Sequence, residues 1–304
     1  MTRQEAGRGE AHLPAPGEAW TPIRLTRWCG EYLAKKGVEN GRLDAELLLA
    51  DVLDVARLDL YLQFDRPLRP AELEAFKTLL RRRAAREPLQ YILGKTPFRE
   101  LDLKTDSRAL IPRPETEVLV EEVLAWTGRS VGPFTGADIG TGSGAIVLSL
   151  LKEGPFEKAI GTDPSRDALD LAAENARGHG LERRVEFRNG PGLEPLESEE
   201  RFSVIVSNPP YIPEGERGSL QPEILEWEPG GALFGGPDGL AVLLDLVTGA
   251  RDHLLPGGLL AMEVGDGQAG TVVQAMKGTK KFCEITIRPD LAGRERVVMG
   301  VASE

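Results

Sequence analysis

Asp138-Ile139-Gly140-Thr141-Gly142-Ser143-Gly144 joins a predicted strand, residues 137–139, to a predicted helix, residues 145–151. The three alternate glycines let the backbone turn tightly and approach a ligand before the helix begins. Their spacing differs from the Gly-x-Gly-x-x-Gly fingerprint of dinucleotide sites, and no P-loop lysine follows them. The turn therefore predicts a site for a nucleoside without phosphates, built on an α/β sheet.

Strands and helices alternate along the rest of the chain after residue 135. Predicted helices include residues 145–151, 168–177 and 240–255, and predicted strands lie at residues 137–139, 159–162, 185–188, 202–207, 258–264, 283–288 and 295–301. This alternation predicts a mostly parallel, Rossmann-like sheet of seven strands with helices on both faces. The last two strands are close enough in sequence to form an antiparallel edge.

Asp163 ends the second of these strands, 23 residues after Gly140. An acid at this point of an α/β sheet accepts hydrogen bonds from the hydroxyls of a ribose. The competing interpretation is a helix N-cap, because Asp163-Pro164 leads directly into a helix. Since the turn and the acid together fit one nucleoside without phosphates, we expect the ligand role.

Asn208-Pro209-Pro210-Tyr211 follows the predicted strand 202–207. The Asn208 side-chain carbonyl and the Pro209 backbone carbonyl can each accept one N–H, and the two prolines add no backbone donors. Tyr211 can add a flat wall. In the simpler interpretation the prolines only end a strand. Because this segment and the glycine turn follow strands that end at the same edge, we expect a substrate site for a planar nitrogen.

The charge of the chain is unevenly distributed. The net charge is −11, yet residues 1–100 hold 17 Lys and Arg against 15 Asp and Glu, which leaves 20 against 33 for the remainder. An acidic domain repels a phosphate backbone, so we expect no direct DNA binding. The one candidate basic patch is Arg81-Arg82-Arg83-Ala84-Ala85-Arg86, and a solvated helix face is its simpler interpretation.

The sequence has neither a signal-like N-terminus nor an apolar run long enough to span a membrane, so we expect a cytoplasmic protein without membrane contact. The two cysteines, Cys29 and Cys283, lie far apart, and the three histidines are scattered. This distribution predicts neither a disulfide framework nor a metal site.

Composition and periodicity divide the chain into four parts. We expect a disordered leader at residues 1–19, a helical substrate-recognition domain of four or five short helices at 20–94, a hairpin linker at 95–117 and a catalytic domain at 118–304.

Several segments together resemble the release factor glutamine methyltransferases, and the resemblance covers about residues 21 to 301. The segments are Pro88 to Gly94, Leu110-Ile111-Pro112-Arg113-Pro114-Glu115-Thr116-Glu117, Asp138 to Gly144, Val206 to Ile212, Glu228-Pro229, Asp238-Gly239-Leu240 and Arg294 to Val298. This family methylates the side-chain amide nitrogen (N5) of the glutamine in the Gly-Gly-Gln loop of peptide chain release factors, which supports translation termination. The resemblance thus implies an S-adenosylmethionine-dependent protein-glutamine methyltransferase whose partners are release factors.

The resemblance also assigns site residues. Those that would hold the cofactor are Gly140, Thr141, Gly142, Ser143, Gly144, Asp163 and Asn208, those that would hold the substrate glutamine are Asn208, Pro209, Pro210 and Tyr211, and Asn208, Pro209 and Tyr211 would carry catalysis. One segment departs from the family. Where an acidic or polar residue and an aromatic one usually lie near the adenine, this chain has Asn189-Gly190-Pro191-Gly192-Leu193, which leaves the adenine contact open.

Two alternatives remain at this point. Adenine-N6 and guanine-N2 nucleic-acid methyltransferases use the same Asn-Pro-Pro-Tyr site, although an acidic catalytic domain argues against them. A nucleoside-binding or assembly module without catalysis would bind the cofactor and turn nothing over. Methyl transfer into DNA, RNA or a release factor separates the three.

Overall fold

The computed structural model describes residues 19–129 and 132–303. The chain divides into two compact units, Met1–Leu93 and Gly94–Glu304. The leader expected at residues 1–19 lies outside the described residues except for Ala19.

The first unit is helical, as predicted. Its helices are α1 (Pro22–Lys35), α2 (Gly41–Leu53), α3 (Asp59–Leu62), α4 (Pro70–Ala84) and α5 (Leu89–Leu93). Prolines at the first position of α1 and α4 favour helix starts there, because their fixed φ suits the helix and their missing N–H is not needed. The core of the unit is apolar and includes Leu33, Leu48, Leu49 and Phe76.

The arginine cluster at residues 81–86 helps to build this unit. Arg83 is buried and donates to Asp44 over 2.7 Å, and Arg82 pairs with Glu87. The interpretation as a purely solvated face is therefore wrong for Arg83, whose charge is partnered inside the unit.

The second unit begins with a hairpin and a helix. Strands β1 (Lys95–Phe98) and β2 (Leu101–Lys104) pair antiparallel, and α6 spans Pro114–Thr127. The hairpin, expected as a linker, lies inside this unit, where its apolar side chains Phe98, Leu101 and Leu103 join the core. Helix α6 begins four residues before the predicted Val118, because Pro114 starts the helix and Glu115 and Glu117 suit its positive end.

Seven strands form the sheet of the second unit, which confirms the predicted fold class. In sequence order they are β3 (Phe134–Ile139), β4 (Phe156–Asp163), β5 (Val185–Asn189), β6 (Phe202–Ser207), β7 (Leu254–Glu263), β8 (Phe282–Pro289) and β9 (Glu295–Ala302). Their order in space is β5-β4-β3-β6-β7-β9-β8. The first five are parallel, and β9 pairs antiparallel with both β7 and β8.

The remaining helices are α7 (Ala145–Glu153), α8 (Arg166–Gly178), α9 (Pro222–Trp227), α10 (Ala241–Gly249) and α11 (Ala269–Thr279). The helix predicted at 240–255 is too long. It ends at Gly249, a short 3₁₀ turn follows at Ala250–His253, and β7 begins at Leu254, which pairs with Phe202. Gly249 and the polar residues Arg251-Asp252-His253 interrupt the apolar run at this change, so the sequence carried a signal for the boundary that the prediction did not use.

Both faces of the sheet are covered by apolar packing. Val204 and Val206 face one core, and Ile205 between them faces the other, as alternation along a strand requires. Among the residues that the structure describes, no helix is both long and apolar enough to cross a membrane.

Candidate active site

A cavity of about 360 Å³ lies at the carboxyl ends of β3, β4 and β6. Its volume is within the range of roughly 300–1,000 Å³ that is usual for small-molecule sites. The cavity brings together six of the predicted site residues, Gly140, Gly142, Asp163, Asn208, Pro209 and Pro210. Segments from three strands thus meet where open α/β sheets bind ligands.

The register of the sheet explains this convergence. Ile139, the last residue of β3, pairs with Thr162 on one side and with Ser207 on the other. The Ser207 hydroxyl also donates to the carbonyl of Ile139 over 2.6 Å. The glycine turn and Asn208 therefore leave the sheet at the same level.

The glycine turn presents bare backbone to the cavity. Gly140 and Gly142 have φ of +76° and +55°, in the left-handed region that side chains disfavour. A Cβ built at either position meets no protein atom within 4 Å, so the space in front of them is open. These two positions therefore leave room for a ligand to approach the main chain.

The other predicted residues of the turn support it from within. Thr141 is buried and donates to Asp138 over 2.7 Å, and the carbonyl of Ser143 accepts from Asn175 over 2.9 Å. Gly144 lies against Leu148 of α7. The structure brings none of these three to the cavity wall. Asp138 itself is fully buried, and this burial raises its pKa to about 7.

Asp163 ties the turn to the end of β4. Its two carboxylate oxygens accept from the backbone N–H groups of Gly142 and Ser165 over 2.9 and 2.8 Å. The N-cap of α8 is Ser165, whose hydroxyl accepts from Ala168, so the interpretation of Asp163 as the cap is wrong. Each carboxylate oxygen retains capacity for a further donor, and the group lines the cavity. Burial raises its pKa.

The side-chain amide nitrogen of Asn208 is held by a hydrogen bond. Its Nδ2 donates to Thr116 Oγ1 over 3.0 Å. Within residues 19–129 and 132–303, no hydrogen bond reaches its Oδ1. With Nδ2 held by Thr116, Oδ1 remains available to accept from a ligand in the cavity that Asn208 lines.

Thr116 belongs to a buried chain of hydrogen bonds that ends at Glu263. The Thr116 hydroxyl donates to Glu263 Oε2 over 2.7 Å, and the Tyr211 hydroxyl donates to Oε1 over 3.1 Å. Glu263 is only 1% exposed, and its burial raises its pKa. Sequence analysis missed this residue, although an acid at the end of a buried strand is the signal that found Asp163.

Tyr211 does not join Asn208 at the cavity. Its ring lines a neighbouring cavity with Gly265 and Gln268, and its backbone carbonyl accepts from the Gln268 side chain over 2.9 Å. The flat wall that we expected from Tyr211 is thus absent from the described cavity. Its observed contact is with Glu263.

Glu228 fixes the segment that precedes α6. Its buried carboxylate accepts from the backbone N–H of Ile111 over 3.2 Å and from the guanidinium of Arg113. Leu110, directly before this anchor, lines the cavity. Two of the segments that carried the family resemblance therefore contact each other.

The segment that departs from the family pattern also reaches the cavity. Pro191 and Gly192 line it, and the carbonyl of Gly192 accepts from Thr162 over 3.1 Å. The Asn189 side chain instead donates to the carbonyls of Asp163 and Pro164. This wall therefore offers a proline ring and backbone in place of an acidic and aromatic pair.

Comparison with known proteins matches both units. Residues 24–94 match the family model described as PrmC N-terminal domain, and residues 115–226 match that of the methyltransferase small domain. A release factor glutamine methyltransferase from Geobacter sulfurreducens is 46% identical over 93% of this chain and 97% of its own length. One from Rhodopirellula baltica is 38% identical over 92% and 95%. A solved methyltransferase from Pyrococcus furiosus has a TM-score of 0.52 at 18% identity, covering 68% of this chain and 91% of its own, and shares the fold.

Proposed function

Because this chain belongs to the release factor glutamine methyltransferases, we propose that it methylates the glutamine side-chain amide in the Gly-Gly-Gln loop of peptide chain release factors. The cofactor is S-adenosylmethionine. The observation that carries the proposal is the fixed Asn208 amide, which presents Oδ1 beside a cavity walled by the glycine turn and Asp163.

The cofactor fits the residues on one side of the cavity. The open backbone at Gly140 and Gly142 suits close approach of a ligand, and the Asp163 carboxylate suits the two hydroxyls of a ribose. When bound, S-adenosylmethionine supplies a methyl group on a positively charged sulfur. The acidic balance of residues 101–304 suits that charge.

The Asn208 and Pro209 part of the cavity lining suits an amide. An amide nitrogen is a poor nucleophile because its lone pair is delocalised into the carbonyl. Asn208 Oδ1 and the carbonyl of Pro209 would each accept one amide hydrogen, which aligns the nitrogen and stabilises the positive charge that develops on it during attack. The two prolines add no competing donors. No strong general base is needed, since the methylated nitrogen becomes acidic and releases its proton afterwards.

We also propose that the first unit recognises the release factor, because a single glutamine side chain offers little specificity. Supporting this, residues 24–94 match a domain model of their own, the PrmC N-terminal domain, separate from the methyltransferase model at residues 115–226. Release factors act in the cytoplasm, and we propose the same location for this protein.

Mass spectrometry of a purified release factor after incubation with the protein and S-adenosylmethionine tests the function. We expect one added methyl on the loop glutamine. A release factor with that glutamine changed to alanine is the matched control and should gain none. Methylation of the control to the same extent, or none on the intact factor, would overturn the proposal.

A further inference from the structure

We propose that Thr116 and Glu263 are positioning residues, which set the orientation of the Asn208 amide so that Oδ1 and not Nδ2 faces the substrate nitrogen. This inference rests on the proposed function, since it concerns the same amide acceptor. Neither residue was assigned a role from the sequence.

The three side chains come from separate parts of the second unit. Thr116 lies in the first turn of α6, Asn208 directly follows β6, and Glu263 ends β7. The bonds run from Nδ2 to Oγ1 over 3.0 Å and from Oγ1 to Oε2 over 2.7 Å. Thr116 and Glu263 are 3% and 1% exposed, so water does not replace either partner.

The number of hydrogens that each group can donate fixes the direction of these two hydrogen bonds. An ionised carboxylate only accepts, and a threonine hydroxyl has a single hydrogen to give. When Thr116 gives that hydrogen to Glu263, its Oγ1 can only accept from Asn208. The amide must then present Nδ2. Rotation by half a turn would place Oδ1 against the Oγ1 lone pairs and leave a buried acceptor without a donor.

The main chain around Asn208 is anchored independently of Thr116. Tyr211 donates to the other oxygen of Glu263, and its backbone carbonyl accepts from Gln268. Rotation of the Asn208 side chain is therefore the freedom that Thr116 restricts. Removal of the Thr116 hydroxyl should therefore change whether Oδ1 or Nδ2 of Asn208 faces the cavity. It should move the main chain of this segment much less.

Three variants test this role. Thr116→Val removes the hydroxyl at nearly constant shape, and Thr116→Ser keeps it. Thr127→Val is the matched control, because Thr127 is a buried threonine of the same helix whose hydroxyl donates to Leu124. We expect Thr116→Val to lower kcat for release factor methylation by about 10- to 100-fold, from the usual cost of an unsatisfied buried group, with KM and cofactor affinity changed less than threefold. Serine should restore most of kcat, and Thr127→Val should match the wild type.

A second readout does not depend on turnover. The chain has four asparagines, Asn40, Asn175, Asn189 and Asn208, so a protein labelled with ¹⁵N-asparagine gives a simple spectrum of side-chain amides. The Asn208 signal, assigned by its loss in Asn208→Ala, should shift in Thr116→Val and stay in place in Thr127→Val.

Equal kcat in Thr116→Val and the wild type, no recovery with serine, or an unmoved Asn208 signal would each overturn the positioning role. Failure of the proposed function looks different. In that case the wild type itself would not methylate a release factor, while the Asn208 signal would still report the orientation.

Discussion

At the scale of single residues, we expect Asn208 to contribute mainly to turnover and Asp163 mainly to cofactor binding. Asn208 is expected to contact the reacting nitrogen, and Asp163 the cofactor. We expect Asn208→Ala to lower kcat by about 10²- to 10³-fold, which corresponds to about 2.7–4 kcal/mol if it resembles the loss of one oxyanion-hole donor. Binding of S-adenosylhomocysteine, measured by titration calorimetry, should weaken less than kcat falls, although the family resemblance also places Asn208 among the residues that hold the cofactor.

Asp163→Ala should show the reverse pattern. Loss of a charged acceptor costs about 1.5–3 kcal/mol, so binding of S-adenosylhomocysteine should weaken by roughly 10- to 100-fold. Asp170→Ala is the control, because Asp170 is an exposed acid of α8, the helix that follows Asp163. The assignment of Asn208 to the substrate and of Asp163 to the cofactor would be wrong if Asn208→Ala lost cofactor binding and kept its turnover at saturating cofactor.

We expect Glu263 to make turnover depend on pH. Burial raises its pKa, and the groups that face it are Thr116 and Glu115 of α6, Tyr211, and Arg296 of β9. A protonated Glu263 can donate to Thr116, which frees the threonine hydrogen to point at Asn208 and removes the constraint on the amide. Because the folded pKa is raised, kcat should fall with decreasing pH at a higher pH than the ordinary glutamate range. A pH profile of single-turnover rates in the wild type should show this fall at low pH, which we call the acid limb.

The Glu263→Gln variant separates this effect from general acid sensitivity. Glutamine offers both a donor and an acceptor at every pH, so we expect a lower kcat without the acid limb. An identical limb in the variant would mean that another group is responsible.

At the scale of elements, the segment around α3 is the most exposed apolar part of the first unit among residues 19–93. Leu58, Leu62 and Phe64 are 71%, 75% and 57% exposed, which is unusual for three large apolar side chains within seven residues. We expect the pair Leu62→Glu and Phe64→Glu to raise KM for an intact release factor at least tenfold. Cofactor binding should be unchanged.

Lys77→Glu is the matched control for charge, since it lowers the net charge by the same two units. Lys77 is exposed and pairs only with exposed Glu74 among the described residues. A similar KM in the wild type and the double variant would exclude the α3 segment from recognition.

The elements also show what the sequence determines by itself. The strand 202–207 was predicted residue for residue, because a short apolar run bounded by an arginine and by Asn-Pro-Pro leaves one interpretation. The end of α10 was not, although Gly249 and the polar residues Arg251-Asp252-His253 mark it, because the prediction extended the helix to the apolar Leu254 and Leu255 beyond them. What the local pattern does not reveal is that Leu254 pairs with Phe202, which places it in β7.

The same limit applies to the site. The glycine turn, Asp163 and Asn208 follow strand ends, so local pattern was enough to bring them together. The role of Thr116 depends on a contact with Glu263, which is 147 residues away in the chain. Tyr211 belongs to the quoted motif, yet its partner Glu263 draws it to another cavity.

At the scale of the whole molecule, charge argues against nucleic-acid substrates. Residues 101–304 carry 33 acidic against 20 basic residues. We expect labelled methyl from S-adenosylmethionine to enter a release factor and not duplex DNA or RNA at equal substrate concentration, at low and at physiological salt. Transfer into nucleic acid that increases as salt is lowered would indicate phosphate contacts and favour the alternative enzyme.

The pairing of Ile139 with Ser207 has a consequence for how such a chain can tolerate insertions and deletions. Side chains alternate along a strand, so one residue added or removed within 202–207 would turn Asn208 to the opposite face. The segment Glu214–Ser219 lies beyond the site and is not paired in the sheet, so it has no such register to lose. A library of single-residue insertions and deletions should thus retain active members at 214–219 and none at 202–207, although both segments are six residues long.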